Sequence, residues 1–204
     1  QHEMLDNIAA IPGAVAAGFA SDIPMDAGGN NGPVSIEGQA VASGDTLRGR
    51  RWIRVSPGYF AAMGTRLIAG REVTWNDIET GGRVALISED FARELAAEPA
   101  DVLGKRIRPG PFTQDDWREV IGVVQTVQQD SLSGAAPSAA YFPVLTERMF
   151  NAPIAGTSSD AFVIRSERAD VSSLVEEIRR AVRSVSASVP VAQERTMRDL
   201  YAAS

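Results

Sequence analysis

The sequence contains no cysteine, only one histidine and no long apolar run. Without cysteine, the chain cannot form a disulfide framework, a thiolate metal site or a cysteine nucleophile. His2, the single histidine, lies near the beginning of the sequence, where a Ser/His/Asp triad or a histidine metal site would lack supporting groups. No segment reaches the roughly 18 apolar residues that a membrane-spanning helix requires. These absences exclude the commonest catalytic and metal-binding arrangements.

Charge and apolar content narrow the class of protein further. The formal net charge is -6, and the 20 basic residues, of which Lys105 is the only lysine, do not cluster along any one segment. Nucleic-acid-binding domains usually carry a basic surface, so we do not expect nucleic acid as a partner. Hydrophobic residues make up 44% of the 204 residues, which is enough for a buried core and argues against general disorder.

Adjacent carboxylates are the residues that most suggest acid–base chemistry. The pairs are Glu89 with Asp90, Asp115 with Asp116, and Glu176 with Glu177. Neighbours in sequence point in different directions on a helix or strand, so they cannot share a proton there. A hydrated surface is the simpler interpretation of all three pairs.

Three glycines, Gly28, Gly29 and Gly32, could suggest a phosphate-binding loop. No lysine follows them, and no helical pattern begins directly after them, as such a loop requires. The composition of residues 21–32 favours an exposed loop instead. We therefore predict no catalytic, cofactor-binding or metal-binding residue, and no cofactor.

Residues 51–71 combine a strand signal, a helix start and a glycine break in direct succession. Residues 52–55 alternate apolar and polar side chains, as a half-buried strand does. Ser56 followed by proline predicts the start of a short helix with Ser56 as its N-cap, and Gly64 predicts its end. The apolar residues of this helix could line a ligand groove, but core packing explains them more simply. They are Tyr59, Phe60 and Met63.

The rest of the chain alternates short strands and helices. Strands are predicted at residues 15–19, 34–37, 83–87, 117–127, 139–143, 161–165 and 189–191, and after the turn at residues 103–107. Within 117–127, Gly122 predicts a bulge or a close backbone contact. Helices are predicted at residues 1–10 and after the caps Thr74, Ser88, Asp170 and Thr196. Both ends of the chain are therefore expected to be helices that continue beyond it.

Six segments, in a fixed order, carry a resemblance to a known family. They are IPGAVAAGFASDIPM (11–25), VSPGYFAAMGTRLIAGREVTWND (55–77), VALISEDFARELAAEPADVLGKRIR (84–108), EVIGVVQTVQQDSLSGAAPSAAYFPV (119–144), FVIRS (162–166) and VPVAQERTMRDL (189–200). The stretch SPGYFAAMG followed by LIAGRE is the most specific of them. Together they resemble the MacB-type periplasmic core domain of FtsX-class ABC-transporter permeases over nearly the whole chain.

The resemblance implies an α+β fold in two parts. A porter-like α/β sandwich subdomain would comprise residues 1–63 and 117–204, and a smaller α/β subdomain of the Sabre type would be inserted at 64–116. Residues 51–71 would then form a hinge between two lobes. In this family the domain lies outside the cytoplasmic membrane, between the first two transmembrane helices of the permease.

The resemblance also implies a function and partners. The domain would be a non-catalytic, extracytoplasmic (periplasmic) part of an inner-membrane permease that transmits ATP-driven conformational change to periplasmic substrates or partner proteins. Its expected partners are the transmembrane helices of the same chain, a cytoplasmic ABC ATPase acting indirectly, a second permease copy in a dimer, and a periplasmic adaptor or substrate. ATP would bind on a different domain or chain.

Two alternatives belong to other classes of protein. The domain could be a ligand- or protein-binding sensor module that uses residues 21–32 and is not itself engaged in transport. It could also be an independent hydrolase, although the missing cysteine and histidine chemistry argues against an enzyme.

Overall fold

The computed structural model describes residues 1–25, 29–39, 49–110, 116–128, 136–144, 148–149, 152–153, 161–168 and 172–203. The helices are α1 His2–Ala9, α2 Tyr59–Met63, α3 Trp75–Glu79, α4 Glu89–Leu95, α5 Ser172–Val185 and α6 Met197–Ala203, with a short 3-10 helix at Pro99–Val102. The first strands are β1 Ala14–Ala20, β2 Asn30–Ile36, β3 Gly49–Val55, β4 Leu67–Gly70, β5 Val84–Ser88 and β6 Arg106–Pro109. The others are β7 Arg118–Val124, β8 Ala139–Pro143, β9 Arg148–Met149, β10 Ala152–Pro153 and β11 Ala161–Ser166.

One large mixed sheet organises the molecule. Its strands follow the order β11-β1-β3-β2-β6-β7-β5-β8, with β4 paired to β7 and an additional pairing between β3 and β8. The pairs β5–β7 and β3–β8 are parallel and the others in this sheet are antiparallel. Helices segregated around such a sheet give an α+β fold, as predicted. None of the helices in the described part of the chain is long and apolar enough to cross a bilayer.

Two hydrophobic clusters cover the faces of this sheet. Each contains side chains from residues 1–63, 64–116 and 117–204, the three segments that make up the two predicted subdomains. One cluster joins Phe60 with Leu86 and Tyr141, and the other joins Val34 with Phe91. Within the described residues, the hydrophobic core therefore continues across both predicted subdomain boundaries, between residues 63 and 64 and between residues 116 and 117. The division into two subdomains stays a prediction.

The centre of β7 confirms the prediction made at Gly122. The pairing of β7 with β5 shifts register between Ala85 and Leu86, so one residue of β7 bulges there. A Cβ atom at Gly122 would collide with the carbonyl oxygen of Arg71 and lie 2.9 Å from the Leu86 side chain. Glycine is therefore needed for β4 and β5 to approach β7 closely.

Three local predictions are wrong. The N-cap of α2 is Gly58 in the left-handed conformation, and the Ser56 side chain makes no cap bond to the helix. Residues 189–191 are not a strand, because no neighbouring strand pairs with them in the described part of the chain. Residues 30–32 belong to β2, so the predicted loop at 21–32 is shorter than expected. The predicted cap Asp170 lies outside the described residues.

The predicted capping box at α3 is confirmed and leads to a pH prediction. The Asp77 N–H donates to Thr74 Oγ1 at 3.2 Å, and Arg71 donates two hydrogen bonds to the Asp77 carboxylate at 2.7 and 2.8 Å. The bond from Arg71, aided by those from Thr74, lowers the pKa of Asp77 to about 2. In the unfolded chain an aspartate titrates at about 3.9, so the stabilisation is complete above about pH 4 and is lost as the pH falls toward 2.

We expect urea-unfolding midpoints of the native protein to fall more steeply between pH 4 and 2 than those of Asp77→Asn. The asparagine variant keeps the shape of the side chain but has no carboxylate to titrate, so it lacks this part of the acid sensitivity. Parallel pH profiles for the two proteins would contradict the assignment.

Candidate functional site

The N-terminal helix α1 packs through one apolar face. Its buried side chains are Met4, Leu5 and Ile8, and Met4 and Ile8 form a cluster with Leu174 and Val182 of α5. The same cluster includes partly buried side chains of β1 and β11. Helix α1 therefore packs directly against α5 and the β1–β11 pair.

Arg168 fastens the turn after α1 to α5. Its guanidinium donates to the carbonyl oxygen of Pro12 at 2.8 Å and makes two bonds to the Glu177 carboxylate at 2.7 and 3.1 Å. The bond from Arg168 lowers the pKa of Glu177, which keeps the pair ionised. Farther along, Asn7 donates to Ser184 Oγ at 3.2 Å, so α1 and α5 run antiparallel. A shallow groove follows this contact between the two helices.

The N-terminal end of α1 also contacts α3. The His2 imidazole stacks on the Trp75 indole with ring centroids 3.8 Å apart and planes 18° apart. Its Nε2 lies 3.8 Å from Asp6 Oδ2 and its Nδ1 lies 3.9 Å from Glu79 Oε1. One short helix thus contacts α5, β1 and the segment that was predicted to be inserted.

The segment before α6 is joined to α5 as well. Arg179 Nε donates to Glu194 Oε1 at 2.9 Å. The predicted cap of α6 is confirmed, because the Asp199 N–H donates to Thr196 Oγ1 at 3.2 Å. Leu200 of α6 is buried. Helix α5 therefore connects to both terminal parts of the chain.

The SPGYF motif forms a close junction between β1 and α2. The Phe19 N–H donates to Ser56 Oγ, and the Ser56 N–H donates to the Phe19 carbonyl oxygen, both at 2.9 Å. A Cβ atom at Gly18 would lie 2.5 Å from the Tyr59 backbone, and one at Gly58 would collide with the carbonyl oxygen of Ala17. The motif therefore brings the backbones of β1 and α2 into direct contact.

The aromatic residues of the motif pack in the core. The rings of Phe60 and Tyr141 meet edge to face with centroids 5.0 Å apart. Burial, with additional effects of Tyr141 and Asp22, raises the pKa of Tyr59 far above its usual value. Tyr59 is therefore neutral and cannot serve as a base near neutral pH.

The adjacent carboxylates lie in separate polar contacts. Glu89 accepts a bond from Arg93, Asp90 from Thr126, Asp116 from Arg118 and Glu176 from Arg179, while Glu177 binds Arg168. Asp115 lies outside the described residues. In the part of the chain that is described, no three acidic or histidine side chains form a group that could hold a metal ion.

The predicted exposed loop at residues 21–32 is anchored to β3. Asp22 Oδ2 accepts a bond of 2.8 Å from Arg51 Nη2, and the Ser21 hydroxyl accepts one of 3.0 Å from the Arg54 N–H. Gly29 lies over the first pair, because a Cβ atom there would collide with both side chains. Gly28 lies outside the described residues, and Gly32 packs against Trp52 within β2.

The contacts of Arg168 and Trp75 are not visible in the sequence. Trp75 lies in the segment 55–77 but stacks on His2, and Arg168 binds the carbonyl oxygen of Pro12; both of these partners are distant in sequence. Leu174, Ile178 and Val182 recur at helical spacing in the sequence of α5, but this pattern does not show which element covers them.

The chain matches the model of the MacB-like periplasmic core domain over residues 3–181. Its fold is similar to the periplasmic region of MacB from Actinobacillus actinomycetemcomitans, with a TM-score of 0.59, 16% identity, and coverage of 91% of this chain and 73% of that chain. It is also similar to the extracellular domain of the noncanonic ABC-type transporter YknZ from Gram-positive bacteria, with a TM-score of 0.57, 18% identity, and coverage of 92% and 84%. No curated protein gives a significant match.

Proposed function

This chain belongs to the family of MacB-like periplasmic core domains and is an extracytoplasmic domain of an ABC-transporter permease, and we propose that it transmits motion of the membrane helices to a periplasmic substrate or partner. In this proposal α1 and α6 are the mechanical inputs. The domain itself catalyses no reaction, and the ATPase acts on it through the membrane helices.

The contacts of α1 are the observation that supports transmission. Met4 and Ile8 bury α1 against α5, Arg168 fastens its following turn, and His2 reaches α3. A buried apolar interface of this kind resists local sliding, since close-packed side chains transmit displacement to their neighbours. Movement at α1 would therefore reach several elements together.

We further propose that residues 1–63 with 117–204, and residues 64–116, move as two lobes about residues 51–71. The proposed inserted lobe begins at residue 64. Gly64 and Gly70, both with positive φ angles, lie in its first residues. Hinges are commonly a few residues at the ends of elements that absorb backbone rotation. Because the large sheet continues between the lobes, their motion would be small and would bend the sheet.

A disulfide across the proposed lobes tests whether they move. Ser35 of β2 and Arg108 of β6 are directly opposite each other in an antiparallel pair, close enough for Ser35→Cys with Arg108→Cys to form a disulfide. This domain contains no native cysteine that could compete for pairing. In the assembled transporter in lipid nanodiscs, we expect oxidation of the pair to lower ATPase turnover several-fold and reductant to restore it.

The matched control places the disulfide within one proposed lobe. Ala17→Cys with Ile164→Cys joins β1 to β11, and both strands belong to the proposed porter-like part. Oxidation of this pair should leave turnover unchanged. Equal turnover for oxidised and reduced forms of both pairs would refute the two-lobe proposal, and the domain would then transmit motion as one body.

The proposed partners follow from family membership. They are the membrane helices of the same permease, a second permease copy, a cytoplasmic ABC ATPase and a periplasmic adaptor or substrate. The alternative of a sensor module using residues 21–32 has less support, because Asp22 is committed to a buried pair with Arg51 and Met25 is buried.

A further inference from the structure

The environment of His2 carries an inference beyond the proposed function. We propose that the contact between α1 and α3 is proton-responsive, so that the N-terminal end of α1 holds α3 more tightly when His2 is protonated. The imidazole lies on the Trp75 ring, and each of its nitrogens faces a carboxylate from a different helix, Asp6 on α1 and Glu79 on α3.

The chemistry of the three neighbours favours one charge state. A cation on the face of an indole ring is attracted by the ring quadrupole, and tryptophan is the strongest side chain for this contact. An imidazolium is also attracted by both carboxylates, whereas a neutral imidazole keeps only the stacking contact. Asp6 and Glu79 are the charged side chains that face the ring from α1 and α3.

The attraction to Glu79 joins the two helices, whereas the attraction to Asp6 remains within α1. The side chains of His2, Asp6 and Glu79 are 44%, 70% and 66% exposed, so solvent and salt screen each attraction. The proton therefore tunes a local contact and leaves the fold intact.

A double-mutant cycle isolates the coupling between His2 and Glu79. It compares the thermal unfolding of the native chain with that of His2→Gln, Glu79→Gln and the double variant. With the α-amino group acetylated, so that it carries no charge at either pH, measurements at about pH 5.5 and about pH 8 lie on either side of the range in which histidine side chains ordinarily change charge. We expect a coupling of about 1 to 2 °C in Tm at the lower pH, and a loss of that coupling at the higher pH and in high salt.

The control cycle uses Glu98→Gln in place of Glu79→Gln. Glu98 is an exposed carboxylate next to the 3-10 helix, and this cycle should show no coupling with His2 at either pH. NMR reads the stack independently, because the single histidine gives unambiguous imidazole signals. The ring current of Trp75 should displace those signals, and Trp75→Leu should remove the displacement. A His2–Glu79 coupling that is equal at both pH values, or absent from both, would overturn the proposal.

Discussion

Substituting alanine for Gly58 is expected to destabilise the protein by about 3 kcal/mol or more, a large part of a typical folding free energy. Two costs add at this position. Gly58 has a φ angle of 81°, a conformation that costs an L-residue about 1 to 2 kcal/mol. The new Cβ would also collide with the carbonyl oxygen of Ala17, a backbone atom that cannot rotate away.

Gly104 provides the matched control. Its φ angle is 80°, and a Cβ atom there would meet nothing within 4 Å. Gly104→Ala therefore carries only the conformational cost, and its Tm should fall by a few degrees, at about 2 to 4 °C per kcal/mol for a chain of this size. Gly58→Ala should lower Tm by at least twice as much. Equal decreases in the two variants would contradict the close contact between β1 and α2.

Replacing Asp22 with alanine is expected to cost about 3 to 5 kcal/mol, because it removes one side of a buried ion pair. The two side chains are 8% and 2% exposed, and their charged atoms are 2.8 Å apart. Gly29 lies over the pair, which limits the access of water to the remaining guanidinium. Chemical denaturation of Asp22→Ala measures this loss directly.

Two further variants separate charge burial from simple loss of a contact. The exposed pair of Glu37 with Arg106 has side chains that are 47% and 44% exposed, so Glu37→Ala should change stability by less than about 1 kcal/mol. Asp22→Leu combined with Arg51→Met should recover most of the stability lost in Asp22→Ala, since both charges of this pair are then removed. A double variant as unstable as Asp22→Ala would show that packing, and not charge, dominates at this site.

The sequence was sufficient to predict structural features that depend on residues close together in the chain. The two capping boxes, at Thr74 and Thr196, pair groups three residues apart and were predicted correctly. The crowded strand around Gly122 was recognised because β-branched residues and a central glycine occur in the same short segment.

The misassigned residues interact with distant parts of the chain. Ser56 has the sequence context of an N-cap, yet its hydroxyl accepts from Phe19 of β1, because the tight β1–α2 junction brings that N–H within reach. Residues 189–191 have a strand-like pattern, but Arg179 ties the nearby Glu194 to α5 and Val191 packs against the α1–α5 cluster. Local pattern alone could not predict these contacts.

The candidate site was predictable only in part. The terminal helices and the apolar stripe of α5 could be read from periodicity, and the family from ordered motifs. The contacts of His2 with Trp75 and of Arg168 with Pro12 could not, since they depend on how separate elements pack.

The pairing of β1 with β11 constrains the order in which the domain can be assembled. Strand β1 precedes β11 by most of this sequence, yet the two pair directly, with Ala20 opposite Ala161 and Ala14 opposite Ser166. Pairing between distant segments is slow, because the intervening chain must first be ordered. The ring of Phe19 can therefore meet that of Phe162 only after β11 has been made, so this contact depends on a segment that follows far along the chain.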